Sequence, residues 1–293
     1  MTFVITGVSG NTGGVVADTL LAQGQRVRVV VREREKAARF AARGAEVAVA
    51  DLGDTRALAA AFAGARAAYV LVPPNLAAAD TRAHQRATSD SIAAALREAR
   101  VPHAVLLSSI GAQHPAGTGP IAGLHHTEAL LRALPDTRAS FIRAAYFMEN
   151  LGGSLGLLDQ GLLPSFMPAS LAIEMVATVD IGKLAAQTLV EGTATTQVIE
   201  LAGPSKVSMA DVAAAASKRL GKPITVAEAP TEAVVPTLTG FGMPADLAAM
   251  YREMIEGLIA GHVAYEGGHR TSRGATTVDT VLGALLGAGT PPR

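Results

Sequence analysis

A doubly wound, parallel α/β sheet is the fold that this 293-residue chain predicts, and three features predict it. Short β-rich runs alternate with Ala- and Leu-rich segments of helical period, the pattern of parallel strands joined by helical crossovers. The first run breaks into a glycine cluster at the mouth of a helix, in "VITGVSGNTGGVVADTL" (4–20). Hydrophobic residues make up 49% of the chain and charged residues 17%, which excludes a disordered chain and supplies a sizeable core.

Taken in order, "TFVITG" (2–7) is a strand, followed by a helix over 12–22 that Gly24 closes. "RVRVVVR" (26–32) is the second strand. It leads into "EREKAARFAARG", a helical segment again ended by glycine, which helix C-termini favour. "EVAVAD" (46–51) is a third strand, Asp54 opens a short helix, and "AAYVLVPP" (67–74) is a fourth strand stopped by prolines. Asp80 begins a long helix to about residue 100, where "HAVLLSS" (103–109), a helix over 122–134 and "ASFIRAA" (139–145) continue the alternation. This spacing implies right-handed crossovers.

Past residue 145 the rhythm loosens. "EMVATV" (174–179), a helix over 180–191 and "TQVIELAG" (196–203) read as a return to the sheet. From 204 onward helices dominate, in "SMADVAAAASKRLG" and "PADLAAMYREMIEGLIAG", with one strand-like run, "PITVAEA". The expected division is a nucleotide-type domain over 1–150, rejoined by 174–203, and a smaller capping region formed by 151–173 and 204–293. The last residues, "GAGTPPR", are expected to fray.

Composition narrows the function. Lys plus Arg and Asp plus Glu both number 25, so the formal net charge is zero and nucleic acid is not an expected partner. There is no cysteine, which removes disulfides, thiolate catalysis and Cys-ligated metals. His103, His114, His262 and His269 are too scattered along the chain to suggest another metal site. No basic leader precedes the first strand, and the Leu-rich stretch at 155–175 is interrupted by Asp159, Pro164, Pro168 and Glu174. No membrane span and a cytoplasmic location are therefore expected. An apolar helical surface leaves a homodimer open.

Gly7, Gly10 and Gly13 form G-x-x-G-x-x-G directly after the first strand. Such a loop is either a tight turn or a phosphate cradle. A strand before it and a helix after it, inside a βαβ unit, favour the cradle. There, backbone N–H groups and the helix dipole meet a pyrophosphate with no Cβ in the way. The end of the second strand selects the dinucleotide, because a carboxylate there binds the ribose 2′-hydroxyl of NAD and an arginine the 2′-phosphate of NADP. Arg32 holds that position and Arg34 follows, so NADP(H) is the expected coenzyme; a solvated strand-end charge is the plainer reading of Arg32. Asp51 closes the third strand, where it reaches an adenine edge or simply makes a turn. Val72 and Pro73 end the fourth strand beside the switch point of the strand order, lining the coenzyme's path or only stopping the strand.

The motifs "TGVSGNTGG", "VVVRERE", "ADLGD", "VLVPP", "LLSSIGA", "FIRAAYFMENL", "MVATVDIGKLAA", "IELAGP" and "RGATT" occur in that order. Together they resemble the NmrA-like family of atypical short-chain dehydrogenases over nearly the whole chain. That family includes NADPH-dependent quinone reductases and NADP-sensing regulators. The resemblance implies a Rossmann domain with a small α/β cap, and NADP(H) held by loop 7–13 and Arg32. It also implies phosphates lined by Ser9, Asn11 and Thr12, adenine by Asp51 and Leu52, and the segment Tyr146, Phe147, Met148, Glu149, Asn150 beside the nicotinamide.

One departure from the wider superfamily bears on chemistry. Its Tyr-x-x-x-Lys pair lies on the helix after strand five, which here reads "GPIAGLHHTEALLR". With Glu128 aligned to the family's glutamate, Leu124 stands where a lysine often sits and Pro120 where the tyrosine would be. Hydride added to a ketone makes a strongly basic alkoxide that needs an acid. Added to a quinone, it makes a phenolate-like oxyanion whose conjugate acid has a pKa of about 10, for which hydrogen bonds suffice. The expected partner is therefore a small aromatic, quinone-like or conjugated carbonyl molecule. The alternative is a catalytically silent NADP(H) sensor acting through a protein partner. His125, Tyr146 and Asn150 are the candidate catalytic residues, with His126 next to the first. Ser108, at the end of the fifth strand with Ser109, is a candidate coenzyme contact or a plain turn residue. Arg143 reads as a structural ion-pair partner, and Phe147 and Met148 as pocket wall or core.

Overall fold

The computed structural model describes residues 1–287. Its centre is an eight-stranded sheet in which every pairing is parallel. β1 (Thr2–Ile5) shows why: Phe3 and Ile5 enter the apolar cluster on one face and Val4 that on the other, so a strand apolar throughout is buried on both sides. β2 (Val27–Val31) repeats this, with Val27, Val29 and Val31 on the first face and Val30 on the second. α1 (Asn11–Ala22) connects them. The helical segment expected after β2 is split into a 3₁₀ turn at Arg34–Ala37 and the single turn α2 (Ala38–Ala41).

β3 (Glu46–Val49), α3 (Thr55–Phe62), β4 (Ala65–Val70), α4 (Thr81–Glu98), β5 (His103–Ser109), α5 (Ala122–Arg132) and β6 (Arg138–Ala144) follow the anticipated alternation. Asp54 and Asp80 cap α3 and α4, accepting from Ala57 N at 3.0 Å and Ala83 N at 2.9 Å. The spatial order β3-β2-β1-β4-β5-β6 reverses direction between β1 and β4.

The second half weaves between that sheet and a cap. β7 (Tyr146–Phe147), a 3₁₀ segment (Met148–Gln160), β8 (Leu162–Ser165) and β9 (Ile173–Val176) lead to α6 (Thr178–Glu191) and β10 (Gln197–Ala202). β11 (Lys206–Val207), α7 (Met209–Leu220), β12 (Thr225–Glu228), α8 (Val234–Gly240), α9 (Ala245–Ile259), β13 (Arg270–Arg273) and α10 (Val278–Gly287) complete the described chain. β10 lies beside β6, as expected of 196–203. The 174–179 run does not rejoin the main sheet, because β9 pairs with β7 and β11 in a three-stranded sheet of its own. An unanticipated strand, β13, closes the main sheet's edge beyond β10. Its sequence, "RTSR", has no apolar alternation, and three of its four residues are exposed. α6 returns to pack on α1, and the contact needs Gly182, whose Cβ would stand 2.5 Å from Val15 Cβ. A separate apolar cluster, including Met148, Leu163, Met175, Val212 and Leu258, holds the cap together. No described helix is long and apolar enough to cross a membrane. Of the tail expected to fray, 288–293 lies outside the described residues.

Candidate active site

After β1 the chain turns into α1 at the C-terminal edge of the sheet, beside the switch between β1 and β4 where open α/β sheets bind ligands. Gly7 has φ +65°, and a Cβ there would stand 2.6 Å from Leu71 Cδ2. Gly13 is more tightly bound: its Cβ would fall 2.5 Å from Gly7 O and 2.6 Å from Thr6 O, backbone atoms that cannot swing away. Gly10 differs, since a Cβ there would meet only Gly7 O, at 3.4 Å. The protein leaves room at Gly10; a ligand against the backbone would not. No side chain caps α1, and its first turn holds no acidic residue, so its leading N–H groups and dipole are available to an anion. A cavity of about 530 Å³ opens against this turn, lined in part by Ser9, Gly10, Asn11, Lys36 and Arg39. The residues fit a pyrophosphate.

Around the cradle, the exposed side chains of Ser9 and Asn11 are available for phosphate contacts. Thr12 is different. Its side chain is buried and its Oγ1 accepts from the Tyr69 hydroxyl at 2.9 Å, so only its backbone faces an anion; burial raises the Tyr69 phenol well above its ordinary range. Arg32, Arg34 and Lys36 are exposed just after β2, and none forms an ion pair among the described residues. Arg39 is already engaged, 3.0 Å from Asp18 and with its guanidinium 4.1 Å from the Phe40 ring centroid. Lys36 and Arg39 escaped the sequence reading. The signal was the run "EREKAARF", whose cations fold back toward the glycine loop.

On the far side of the crevice, Leu52 and Val72 are half-buried against the same apolar cluster, and Pro73 is half-buried next to Val72. Asp51 is exposed and its Oδ1 accepts from Gly53 N at 2.8 Å, so one carboxylate oxygen makes the turn and the other is left for a ligand.

Ser108 is buried and donates from Oγ to Glu128 Oε1 at 2.6 Å. Glu128 is also held by Arg143, through Nε at 3.0 Å and Nη2 at 2.9 Å, with both side chains 4% exposed. Arg143 reaches Glu266 at 2.7 Å as well. Burial alone would lower the Arg143 guanidinium, but the Glu128 and Glu266 bonds outweigh it and hold its pKa above the ordinary value. Arg143 is thus the structural ion-pair partner its sequence suggested.

The histidines divide. His125 is half-buried and its Nδ1 lies 2.9 Å from the Ala112 carbonyl, which can only accept. The ring's neutral form therefore carries its proton on Nδ1, leaving Nε2 an acceptor, and His125 donates from Nε2 only when charged. His126 is exposed and lies 3.1 Å from Asp90 on α4. His114 and His262, far apart in sequence, stack with ring centroids 4.0 Å apart where the loop after β5 meets the loop after α9. Burial and the neighbouring His262 lower the His114 pKa.

Tyr146 is half-buried at the start of the cap, with Asn150 exposed beside it. Burial and the nearby Tyr251 push the Tyr146 phenol up to about 12, while the Asn150 amide works the other way. Met148 is fully buried cap core, and Phe147 packs on the sheet core. Glu149 caps α6, accepting from Thr178 N at 2.9 Å and Thr178 Oγ1 at 2.6 Å. Of the segment expected beside the nicotinamide, Tyr146 and Asn150 offer polar groups to a ligand.

The profile of the NmrA-like family matches residues 1–263. The chain belongs to the NmrA-like family. An NAD(P)H azoreductase from Xenophilus azovorans is 28% identical to it over 255 residues, covering 86% of this chain and 85% of that one. Among solved structures, an NADPH-dependent quinone oxidoreductase (QOR2) from Escherichia coli, complexed with NADPH, superposes with a TM-score of 0.81 at 23% identity. The match covers 98% of this chain and all of the other. A triphenylmethane reductase from Citrobacter sp., complexed with NADP(H), gives 0.82 at 20% identity, with 98% of this chain covered and 100% of that one. At these identities the structures establish the fold that this NmrA-like chain shares with them, a parallel Rossmann sheet.

Proposed function

We propose that this NmrA-like protein is an NADPH-dependent oxidoreductase that reduces a quinone-like or conjugated aromatic acceptor. The observation that carries the coenzyme half is Gly10: the fold accommodates a Cβ there, yet the position is glycine, directly before the uncapped N-terminus of α1. In this reading the α1 N–H groups, Ser9 and Asn11 bind the diphosphate, and the free cations Arg32, Arg34 and Lys36 receive the 2′-phosphate as charge-assisted donors. Asp51, Leu52, Val72 and Pro73 flank the adenosine and the path across the sheet edge.

When bound, NADPH supplies the reducing hydride. The chain's own residues orient and shield. The capping segments cover the sheet edge and exclude water, and Tyr146 with Asn150 donates hydrogen bonds to an acceptor oxygen. A phenol raised to about 12 stays protonated beside an oxyanion whose conjugate acid lies near 10, so it serves that oxyanion as a hydrogen-bond donor. The relatives that reduce quinones and dyes support that acceptor class.

The test is to mix the purified protein with NADPH and a panel of quinones, azo dyes, enones and simple ketones, following loss of reduced-nicotinamide absorbance. Turnover of the quinones or dyes with little of the ketones is the expected result. Tight NADPH binding with no turnover of any acceptor would replace this reading with that of an NADP(H) sensor.

A further inference from the structure

One residue of β4 grips the glycine turn at both ends. Tyr69 lies opposite Ile5 in the strand pairing, and it is fully buried in the apolar cluster that also holds Val16, Ala17 and Leu20 of α1. Its carbonyl accepts from Thr6 N and from Thr6 Oγ1, each at 3.1 Å, where β1 gives way to the turn. Its phenol donates to Thr12 Oγ1 at 2.9 Å, in the first turn of α1. Thr6 and Thr12 bracket the turn, and both are buried.

Other contacts bear on the same stretch. Leu71, two residues after Tyr69, lies where a Cβ on Gly7 would stand 2.6 Å from its Cδ2. The Thr12 carbonyl packs on α6, where a Cβ on Gly182 would stand 2.9 Å from it. Shape alone does not call for the polar pair. A phenylalanine and a valine would fill the same space, and exchanging both partners of a buried hydrogen bond for apolar groups of the same shape costs little stability. What the bond adds is direction, because its distance and angle are restricted while apolar surfaces can slide. Burial keeps the phenol protonated and therefore a donor.

We propose that Tyr69 is a positioning residue for the coenzyme: through Thr12 it fixes the first turn of α1 against the end of β1, so that the N–H groups of the turn converge on the diphosphate. Being fully buried, it touches no ligand itself. This role deepens the coenzyme half of the reading above and rests on it. A turn already held in its binding geometry spends less of the interaction on ordering the backbone. NADPH and NADH share the diphosphate, so the bond serves both equally.

The experiment measures NADPH and NADH binding by calorimetry, with thermal midpoints, for wild type, Tyr69→Phe, Thr12→Val and the double variant. Each single substitution should weaken both coenzymes about fivefold and lower the midpoint by about 3 °C. In the double variant no buried polar group is left without a partner, so the midpoint should recover while coenzyme binding stays about fivefold weaker. Thr12→Ser, which keeps the accepting oxygen, should bind as wild type does, and the acceptor KM at saturating NADPH should not move in any variant. Binding that recovers together with the midpoint in the double variant would make the bond structural only and overturn the positioning role. Weakening in Thr12→Val with wild-type binding in Tyr69→Phe would overturn it too, assigning Thr12 a contact of its own. So would loss of NADPH affinity without loss of NADH affinity, which places the effect at the 2′-phosphate. Wild type retaining neither coenzyme is a separate result, and it would overturn the coenzyme reading and this role with it.

Discussion

On the reading proposed above, the turn at the start of α1 and the polar residues around the cap recognise their ligands in opposite ways. The turn is made of backbone: Gly7, Gly10 and Gly13 shape it, and the groups it offers are main-chain N–H donors whose positions follow from one strand, one turn and one helix. The candidate acceptor groups are side chains. Tyr146 comes from β7, Asn150 from the 3₁₀ segment and His125 from α5, and their elements are tied by longer-range contacts such as that of Arg143 with Glu266. A backbone site binds what all dinucleotides share and tolerates little change. A side-chain site can be retuned residue by residue, which suits a family fold serving several acceptors.

Substitutions should expose that contrast. The largest effect is expected at Gly13: Gly13→Val places atoms within 2.5 Å of Gly7 O, which should lower unfolding free energy in urea by about 3 kcal/mol or more and abolish NADPH binding. Gly10→Ala, where the protein has room, should instead keep its urea midpoint yet bind NADPH roughly tenfold more weakly by calorimetry. Equal destabilisation by both substitutions would mean that the loop is shaped for folding alone.

Next in size is Glu128→Ala, which removes both buried bonds to Arg143 and the Ser108 partner and leaves the guanidinium with Glu266 alone. A loss of about 3 kcal/mol in urea unfolding is expected, since breaking a buried charge-assisted network is costly. A surface-like loss below about 1 kcal/mol would show the pair to be solvated.

At the opposite end of the sheet, His103 is buried against Ser140 at 3.0 Å with its Nδ1 unpartnered; burial first, and Arg66 second, lower its pKa from 6.5 to about 4. The unfolded chain therefore takes up the histidine proton at a higher pH than the folded one. His103's contribution is complete above 6.5 and is lost as pH falls toward 4, by about 3 kcal/mol. Urea titrations at pH 7.5 and 4.5 should show a smaller gap in His103→Phe; an unchanged gap would place the acid sensitivity elsewhere.

The smallest expected effect separates the coenzymes. Arg32→Glu should weaken NADPH about tenfold more than NADH, with no change in thermal midpoint, because the side chain is exposed and unpaired among the described residues. Equal weakening of both would remove Arg32 from the 2′-phosphate role.

The legible part of this protein is the part in which local sequence and structure coincide. The glycine spacing, the capping aspartates 54 and 80 and the apolar strands each act within a few residues, so β1 to β6, the glycine turn and the arginines at 32 and 34 could be read directly. What the chain could not declare alone was which polar side chains meet between one element and another. The bond of Ser108 to Glu128 is not legible in the string, and His126 looks equivalent to His125 until a helix step of about 100° sends it to Asp90. Lys36 shares the cavity at the glycine turn and "RTSR" becomes a sheet edge, both through packing of separate segments. Periodicity and backbone geometry are encoded locally and survive in the string of residues. The partners of a buried charge are set by closure of the whole chain, and only the folded arrangement decides them.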